Sequence, residues 1–250
     1  MAAPTLDERI LQAKSVVVLT GAGVSAESDV PTFRGADGLW RKHRAEDLAT
    51  PEAFARDPHL VWEWYDWRRQ LIATRRPNAA HDAIAALETH VPEFLLVTQN
   101  VDGLHRRAGS RRMAELHGSL WRVRCLAEGT ATENLAVPLP SLPPHCACGA
   151  PLRPDVVWFG EALPTDAIRS AWHAAESCDV MLVVGTSALV QPAASLPMVG
   201  KAHGAYVVEV NLEATPLTRI ADETHSGKAG EILPRVLGAL ARPRTPTPNP

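Results

Sequence analysis

Several separated stretches of this chain carry side chains that could do chemistry. Gly21-Ala22-Gly23-Val24-Ser25 follows the apolar, β-branched run Ser15 to Thr20 and precedes residues able to open a helix. That strand, tight turn and helix order suits a dinucleotide phosphate site, where glycines admit the backbone to a pyrophosphate. A G-x-G-x-x-A string suits a plain strand-to-helix turn equally well. The usual continuation, a second strand ending in an acid about 20 residues on, is replaced by Pro31-Thr32-Phe33-Arg34-Gly35 and Asp37-Gly38-Leu39-Trp40. The turn is thus joined to a loop carrying an aromatic and a cation. Ser25 is no hydrolase nucleophile, because G-x-G-x-S lacks the G-x-S-x-G order; it is better placed as a donor to phosphate or ribose. Gln99, Asn100 and Asp102 stand just past Phe94 to Thr98, which reads as a buried parallel strand. Open parallel sheets bind ligands beyond such strand ends, although amides and acids also make ordinary turns. Tyr65 and Arg68, three residues apart on one helix face, either point together into a cleft or are a packing tyrosine beside a surface arginine. His117 is one of ten histidines, any of which could be core, surface or a base.

These groups need a scaffold, and the patterning supplies one. Thr5 to Lys14 spaces Leu6, Ile10 and Leu11 as an amphipathic helix leading into the first strand. Thr50-Pro51 and Asp57-Pro58 each set a capping side chain before a proline, two successive helix starts. The second helix runs to about Thr74, with Trp62, Trp64 and Trp67 as packing residues. A helix from Asn78 covers the sheet, and His105 and Arg106 follow on a surface helical segment. Between His117 and Val156 periodicity fades, prolines accumulate, and Cys125, Cys146 and Cys148 appear, as in a small module that a metal holds together. Val156 to Glu161 reads as an extended return to the main body. Thr165–Ser177, part of Val190–His203, and Glu231–Leu240 read as helices, and Val180–Gly185 and Tyr206–Val210 as strands. Such alternation implies a parallel sheet covered on both faces. Cys178, before a buried strand, reads as a small core residue, and the four prolines from Arg242 to Pro250 read as a disordered tail.

A chain of 250 residues can bury a large core as one domain with a smaller insert. Its 25 basic and 28 acidic residues give a net charge of −3, which offers no footprint for nucleic acid. Arg106-Arg107 and Arg111-Arg112 form a short solvated cluster. No apolar run could span a bilayer and no N-terminal targeting pattern is present, so a cytoplasmic protein without membrane or nucleic-acid partners is expected, as a monomer. Four cysteines in such a chain suggest thiols or metal ligands rather than a disulfide framework.

The block from Gly21 to Trp40, with Gln99-Asn100-Val101-Asp102, His117-Gly118, Val157-Trp158-Phe159-Gly160-Glu161, Gly185-Thr186-Ser187 and Asn211-Leu212-Glu213, resembles the sirtuins, NAD-dependent protein lysine deacylases. The resemblance runs from about Ser15 to Leu240, and Tyr65-x-x-Arg68 is similar to the class that removes succinyl and malonyl groups. It implies an α/β fold: a Rossmann-like parallel sheet with helices on both faces, a small zinc-ribbon-like module and a helical insertion. One catalytic domain would cover residues 1–240, with a large NAD-binding part (1–35, 78–117 and 156–240) and a small part from insertions 36–77 and 118–155, followed by a tail at 241–250.

In the mechanism the resemblance implies, the acyl-lysine carbonyl oxygen attacks C1′ of the NAD ribose as nicotinamide leaves. His117 as general base then helps a ribose hydroxyl attack the resulting imidate. With one water taken up to release the amine, the products are nicotinamide, O-acyl-ADP-ribose and free lysine. Carried over by position, Gly21, Ala22, Gly23 and Ser25 would hold the pyrophosphate, and Phe33 and Arg34, with Trp40, would cover the nicotinamide end. Asn100, Val101 and Asp102 would form the nicotinamide pocket, with Asn100 and Asp102 acting at the first bond cleavage and Gln99 near the ribose. Gly185, Thr186, Ser187, Asn211, Leu212, Glu213 and Ala229 would take the adenosine side. Val157 to Glu161 would pair as a strand with the acylated peptide. The chain departs from the family in its metal site, where two Cys-x-x-Cys pairs are usual. Here the first reads Cys125-Leu126-Ala127-Glu128 and the second Cys146-Ala147-Cys148. Glu128 or His145 could complete four-coordinate zinc; alternatively the module is degenerate and holds zinc weakly or not at all. Two other uses of the same site stay open: mono-ADP-ribosyl transfer, which shares the C1′ chemistry, and non-catalytic NAD sensing.

Overall fold

The structure, a computed structural model, describes residues 4–32 and 44–242. In chain order the strands are β1 (Ser15–Thr20), β2 (Glu93–Thr98), β3 (Met113–Glu115), β4 (Gly118–Cys125), β5 (Ala131–Glu133), β6 (Leu152–Val156), β7 (Val180–Val184), β8 (Tyr206–Asn211) and β9 (Glu223–Ser226). The helices are α1 (Leu6–Gln12), α2 (Gly23–Ala26), α3 (Ala45–Leu48), α4 (Pro51–Arg56), α5 (Pro58–Ala73), α6 (Ala79–Leu87), α7 (Leu104–Ala108), α8 (Thr165–Ser177), α9 (Leu196–Ala202) and α10 (Ala229–Leu237).

The main sheet has the order β3-β2-β1-β7-β8-β9, parallel throughout. Its central strands are β-branched and apolar on both faces, as a doubly covered parallel sheet requires. Val16 and Val18 of β1 face a core shared with α1, α6 and α10. Val17 and Leu19 face the opposite core, against α8 and α9. The chain leaves β1 toward β2 on one side and returns to β7 on the other, so a switch point lies between β1 and β7, where open α/β sheets bind ligands.

A second, antiparallel sheet, β5-β4-β6, fills the stretch after His117. Its core is shared with α3, α4 and α5, through Phe54, Trp62, Trp64, Tyr65, Leu120, Val123 and Trp158. The side chains of Thr50 and Asp57 cap α4 and α5 by accepting the N–H groups of Ala53 and Leu60. Gly118 (φ +77) turns the chain from the large sheet into the small one, and a Cβ there would lie 2.2 Å from the Asp155 carbonyl oxygen. Only glycine fits.

Three expectations change. Val156–Glu161 is not one extended run: β6 ends at Val156, and the chain turns at Phe159-Gly160, with Gly160 at φ +86. His105 is buried at 2% exposure, not on the surface, because its ring packs against His81 beneath β1. At the C-terminus, a 3-10 turn at Gly238–Ala241 and a bond between His90 Nε2 and the Arg242 carbonyl carry the fold two residues into the expected tail. Residues 243–250 lie outside the described ones.

Candidate active site

Four strand ends converge at the switch point. Gly21 to Ser25 follow β1, Gln99 to Asp102 follow β2, Gly185 to Ser187 follow β7, and Asn211 ends β8. Side-chain hydrogen bonds lace them together: Asn100 Nδ2 donates to the Gly21 carbonyl (3.0 Å), Gln99 Nε2 to Thr186 Oγ1 (3.2 Å), and Asn211 Nδ2 to the Thr186 carbonyl (3.2 Å). The glycines meet a demand the sequence did not reveal. A Cβ at Gly21 or Gly23 would lie 2.8 or 2.7 Å from the Gly185 carbonyl oxygen, and one at Gly185 (φ +58) 2.4 Å from the Val24 nitrogen. Their bare faces are therefore used to pack the two turns against each other. Ala22 is the exposed residue of the first turn.

Beside these turns a cavity of about 400 Å³ is lined by Gly23, Gly185, Asn211, Leu212 and Ala229, together with Glu27 and Lys228. Glu213 is exposed and stands outside that lining; its carbonyl accepts Asn211 Nδ2. Two carboxylates line the cavity, Asp29 and Glu27, and Glu27 Oε1 accepts the Gly230 N–H at the start of α10. Thr186 and Ser187 are half-buried beside it. Phe33, Arg34 and Trp40 lie outside the described residues.

Asp102 is buried, and its carboxylate accepts Ser25 Oγ (2.7 Å) and the Leu104 N–H (2.8 Å). Burial pushes its pKa up, against the lowering effect of those bonds and of the Arg68 charge. Ser25 Oγ also accepts Asn100 Nδ2 and lies 3.3 Å from His81 Nε2. Because His81 Nδ1 accepts the Asn78 N–H, Nε2 carries the proton, and a donor chain runs from His81 through Ser25 to Asp102. Desolvation lowers the His81 pKa to about 4. Beneath it, His105 Nε2 bonds Thr20 Oγ1 (3.0 Å), and burial, then the neighbouring His81, hold its pKa well down. Sequence reasoning missed His81, His105 and Glu27. The available signal was a histidine on the apolar face of each helix.

His117 sits at the junction of the two sheets. Its Nδ1 lies 2.8 Å from the Gln99 carbonyl and must donate to it, so Nε2 keeps the free lone pair. Desolvation lowers its pKa, and the bond to Gln99 partly offsets this.

Tyr65 and Arg68 are buried together on α5. Tyr65 Oη accepts the Trp158 indole N–H at 2.9 Å, and the Arg68 guanidinium lies 5.5 Å from the Tyr65 ring centre. Burial raises the tyrosine pKa to about 12 and lowers that of the arginine to about 10, so at neutral pH one is an O–H donor and the other a cation. Trp158 is buried and Phe159 exposed. The N–H groups of Val157, Trp158, Phe159 and Glu161 donate to the His117 carbonyl, the Glu161 carboxylate, the Ala49 carbonyl and the Trp158 carbonyl.

In the small module, Cys125, Glu128, Cys146 and Cys148 place their ligand atoms within 4.8 Å of one another. Cys125 Sγ and Cys148 Sγ are 3.6 Å apart, close to the edge of a tetrahedron with roughly 2.3 Å zinc–sulfur bonds. His145 is exposed and outside the cluster, held in a bridge to Pro151, so of the two candidate fourth ligands the fold brings in Glu128. Three thiols and a carboxylate fit a structural zinc ion.

Residues 21–192 match the Sir2 family model, a span that takes in the first turn, the Gln99–Asp102 turn, His117, the metal cluster and the Gly185 turn. A relative from Aquifex aeolicus named NAD-dependent protein deacylase is 56% identical over 90% of this chain and 95% of its own. One from Archaeoglobus fulgidus, NAD-dependent protein deacylase 1, is 52% identical over 91% and 95%. The solved structure of a Sir2 homolog–NAD complex superposes with a TM-score of 0.89 at 50% identity, covering 94% of this chain and 92% of that one. A Sir2–p53 peptide–NAD+ complex does so with 0.81 at 32%, covering 92% and 94%. A strand order with its switch point at these turns, a tautomer-fixed histidine at the sheet junction and such similarity along nearly the whole chain together place this protein in the Sir2 family.

Proposed function

We propose that this chain is an NAD-dependent protein lysine deacylase that removes acyl groups from lysines and prefers those ending in a carboxylate, succinyl and malonyl, over acetyl. His117 carries the deacylase reading: with Nδ1 committed to Gln99, Nε2 is the base that takes a ribose hydroxyl proton. Bound NAD would supply an electrophilic ribose carbon and nicotinamide as leaving group, with the substrate's own amide oxygen as nucleophile. Asn100 and Asp102, fixed through Ser25, would hold the nicotinamide end, and the cavity at Asn211 and Ala229 the adenosine end. The relatives named as deacylases support this reading. The acylated peptide would lie along Val157 to Glu161, held through carbonyl groups and Gly160, since the other N–H groups donate within the chain. Zinc at Cys125, Glu128, Cys146 and Cys148 would be structural.

The acyl preference rests on Arg68 and Tyr65. A carboxylate carried into an apolar tunnel needs a fixed cation, and a guanidinium can hold it by two parallel hydrogen bonds while the tyrosine donates a third. The test is nicotinamide release from NAD with succinyl-lysine, acetyl-lysine or no peptide. Release that requires peptide, fastest with succinyl-lysine, is expected. Release without any deacylated peptide would point to ADP-ribosyl transfer instead.

A further inference from the structure

The loop bearing Asp102 is held from the small module as well as from the main sheet. Trp121 on β4 reaches across the junction, and its indole Nε1 donates to the Asp102 carbonyl at 2.6 Å. The ring also occupies the space beside Gly103, which has φ +76 and where a Cβ would lie 2.6 Å from the indole. The adjacent Leu120 N–H donates to the Val101 carbonyl at 2.9 Å, so β4 grips the loop on both sides of Asp102. Trp121 is itself held. Its carbonyl accepts the Asn134 N–H, and the buried Arg69 guanidinium lies 5.3 Å from its ring centre. Arg69 donates in turn to the Leu120, Asn134 and Ala136 carbonyls, fixing this end of the module.

We infer that Trp121 is a positioning residue for the nicotinamide pocket: through the Asp102 carbonyl and the Gly103 backbone it sets where the Asp102 carboxylate points. This rests on the deacylase reading above. Among the described residues no other group of the small module donates to that carbonyl, whereas the carboxylate is held from the main body by Ser25 and Leu104. Loss of the indole N–H should therefore change nicotinamide recognition more than peptide recognition.

The test is the exchange of labelled nicotinamide into NAD in the presence of acyl-lysine peptide, with the intact chain and Trp121→Phe, which keeps a ring against Gly103 but removes the N–H. The concentration of nicotinamide giving half-maximal exchange should rise about 3- to 10-fold, as for one neutral hydrogen bond, while KM for the peptide stays within about twofold. Half-saturation is indifferent to the fraction of molecules that fold, so a purely structural role would leave it unmoved. An unchanged half-saturation, or an equal rise in peptide KM, overturns the inference alone. Wild-type protein without peptide-dependent exchange overturns the deacylase reading and the inference with it.

Discussion

Two forces act on the imidazole of His117: the Gln99 carbonyl fixes the tautomer and desolvation lowers the pKa. A base with a lowered pKa stays neutral to lower pH, so the acid limb of kcat/KM for deacylation is expected below the ordinary value of 6.5, with activity flat from there to neutrality. His117→Ala should lower deacylation about 100-fold or more while NAD binding survives. Full activity in that variant would remove His117 from the mechanism. At Arg68 the issue is specificity. Hydrogen bonds to charged groups contribute roughly 1.5–3 kcal/mol each, so Arg68→Met should lower kcat/KM for succinyl-lysine by about 100-fold or more and leave acetyl-lysine turnover level or higher. Equal losses on both acyl groups would show that Arg68 only supports the fold. The placement of Asn100 and Asp102 just past a strand was legible, because the apolar run before them marks the strand end. His81 and His105 were only half legible, because each lies on the apolar face of its helix but neither stretch alone shows that the two rings meet.

At the scale of elements, local chemistry was read well. Thr50 and Asp57 cap the helices they were expected to cap, and the β-branched runs became the central strands. Val156 to Glu161 misled because its apolar composition hides two local devices: Glu161 turns back to accept the Trp158 N–H, and Arg153 grips the same carboxylate through both Nη atoms. The metal module was legible as cysteines in aperiodic chain, but choosing Glu128 over His145 needed the turn geometry after β4. Such a site binds zinc only when folded, so metal affinity is linked to stability. Protein purified without chelator should contain about one zinc per chain, and Cys125→Ser should lower the thermal midpoint together with the zinc content. Zinc-free wild-type protein of unaltered stability would show that the cluster no longer serves as a metal site.

For the whole molecule, the strand order gathers groups from α6, α7, β1 and the turn after β2 into one dry region under the switch point. No segment alone would desolvate them, so the electrostatic consequence arises only once the strand order is set. His81 and His105 are both more easily protonated in the unfolded chain than in the folded one. As pH falls through 6.5 the unfolded state therefore binds more protons, and stability falls with it. With a folded pKa of about 4 against 6.5 unfolded, His81 alone accounts for about 2 kcal/mol at pH 5. His105 acts in the same direction. Asp102 acts in the opposite sense, because its raised pKa makes protonation favour the folded state as pH falls. Asp155 and Glu161, lowered through bonds to arginines despite partial burial, lose their contribution as pH falls below their ordinary values of 3.8 and 4.5. Between pH 6.5 and 5 the three desolvated imidazoles, His81, His105 and His117, therefore act against stability and Asp102 acts for it. In urea titrations at pH 5 and pH 7, His81→Asn should remove about 2 kcal/mol of the stability lost between pH 7 and pH 5 by the wild type. A pH dependence left unaltered by His81→Asn would mean that His81 is charged in the folded protein, and the donor chain from His81 to Asp102 would have to be redrawn.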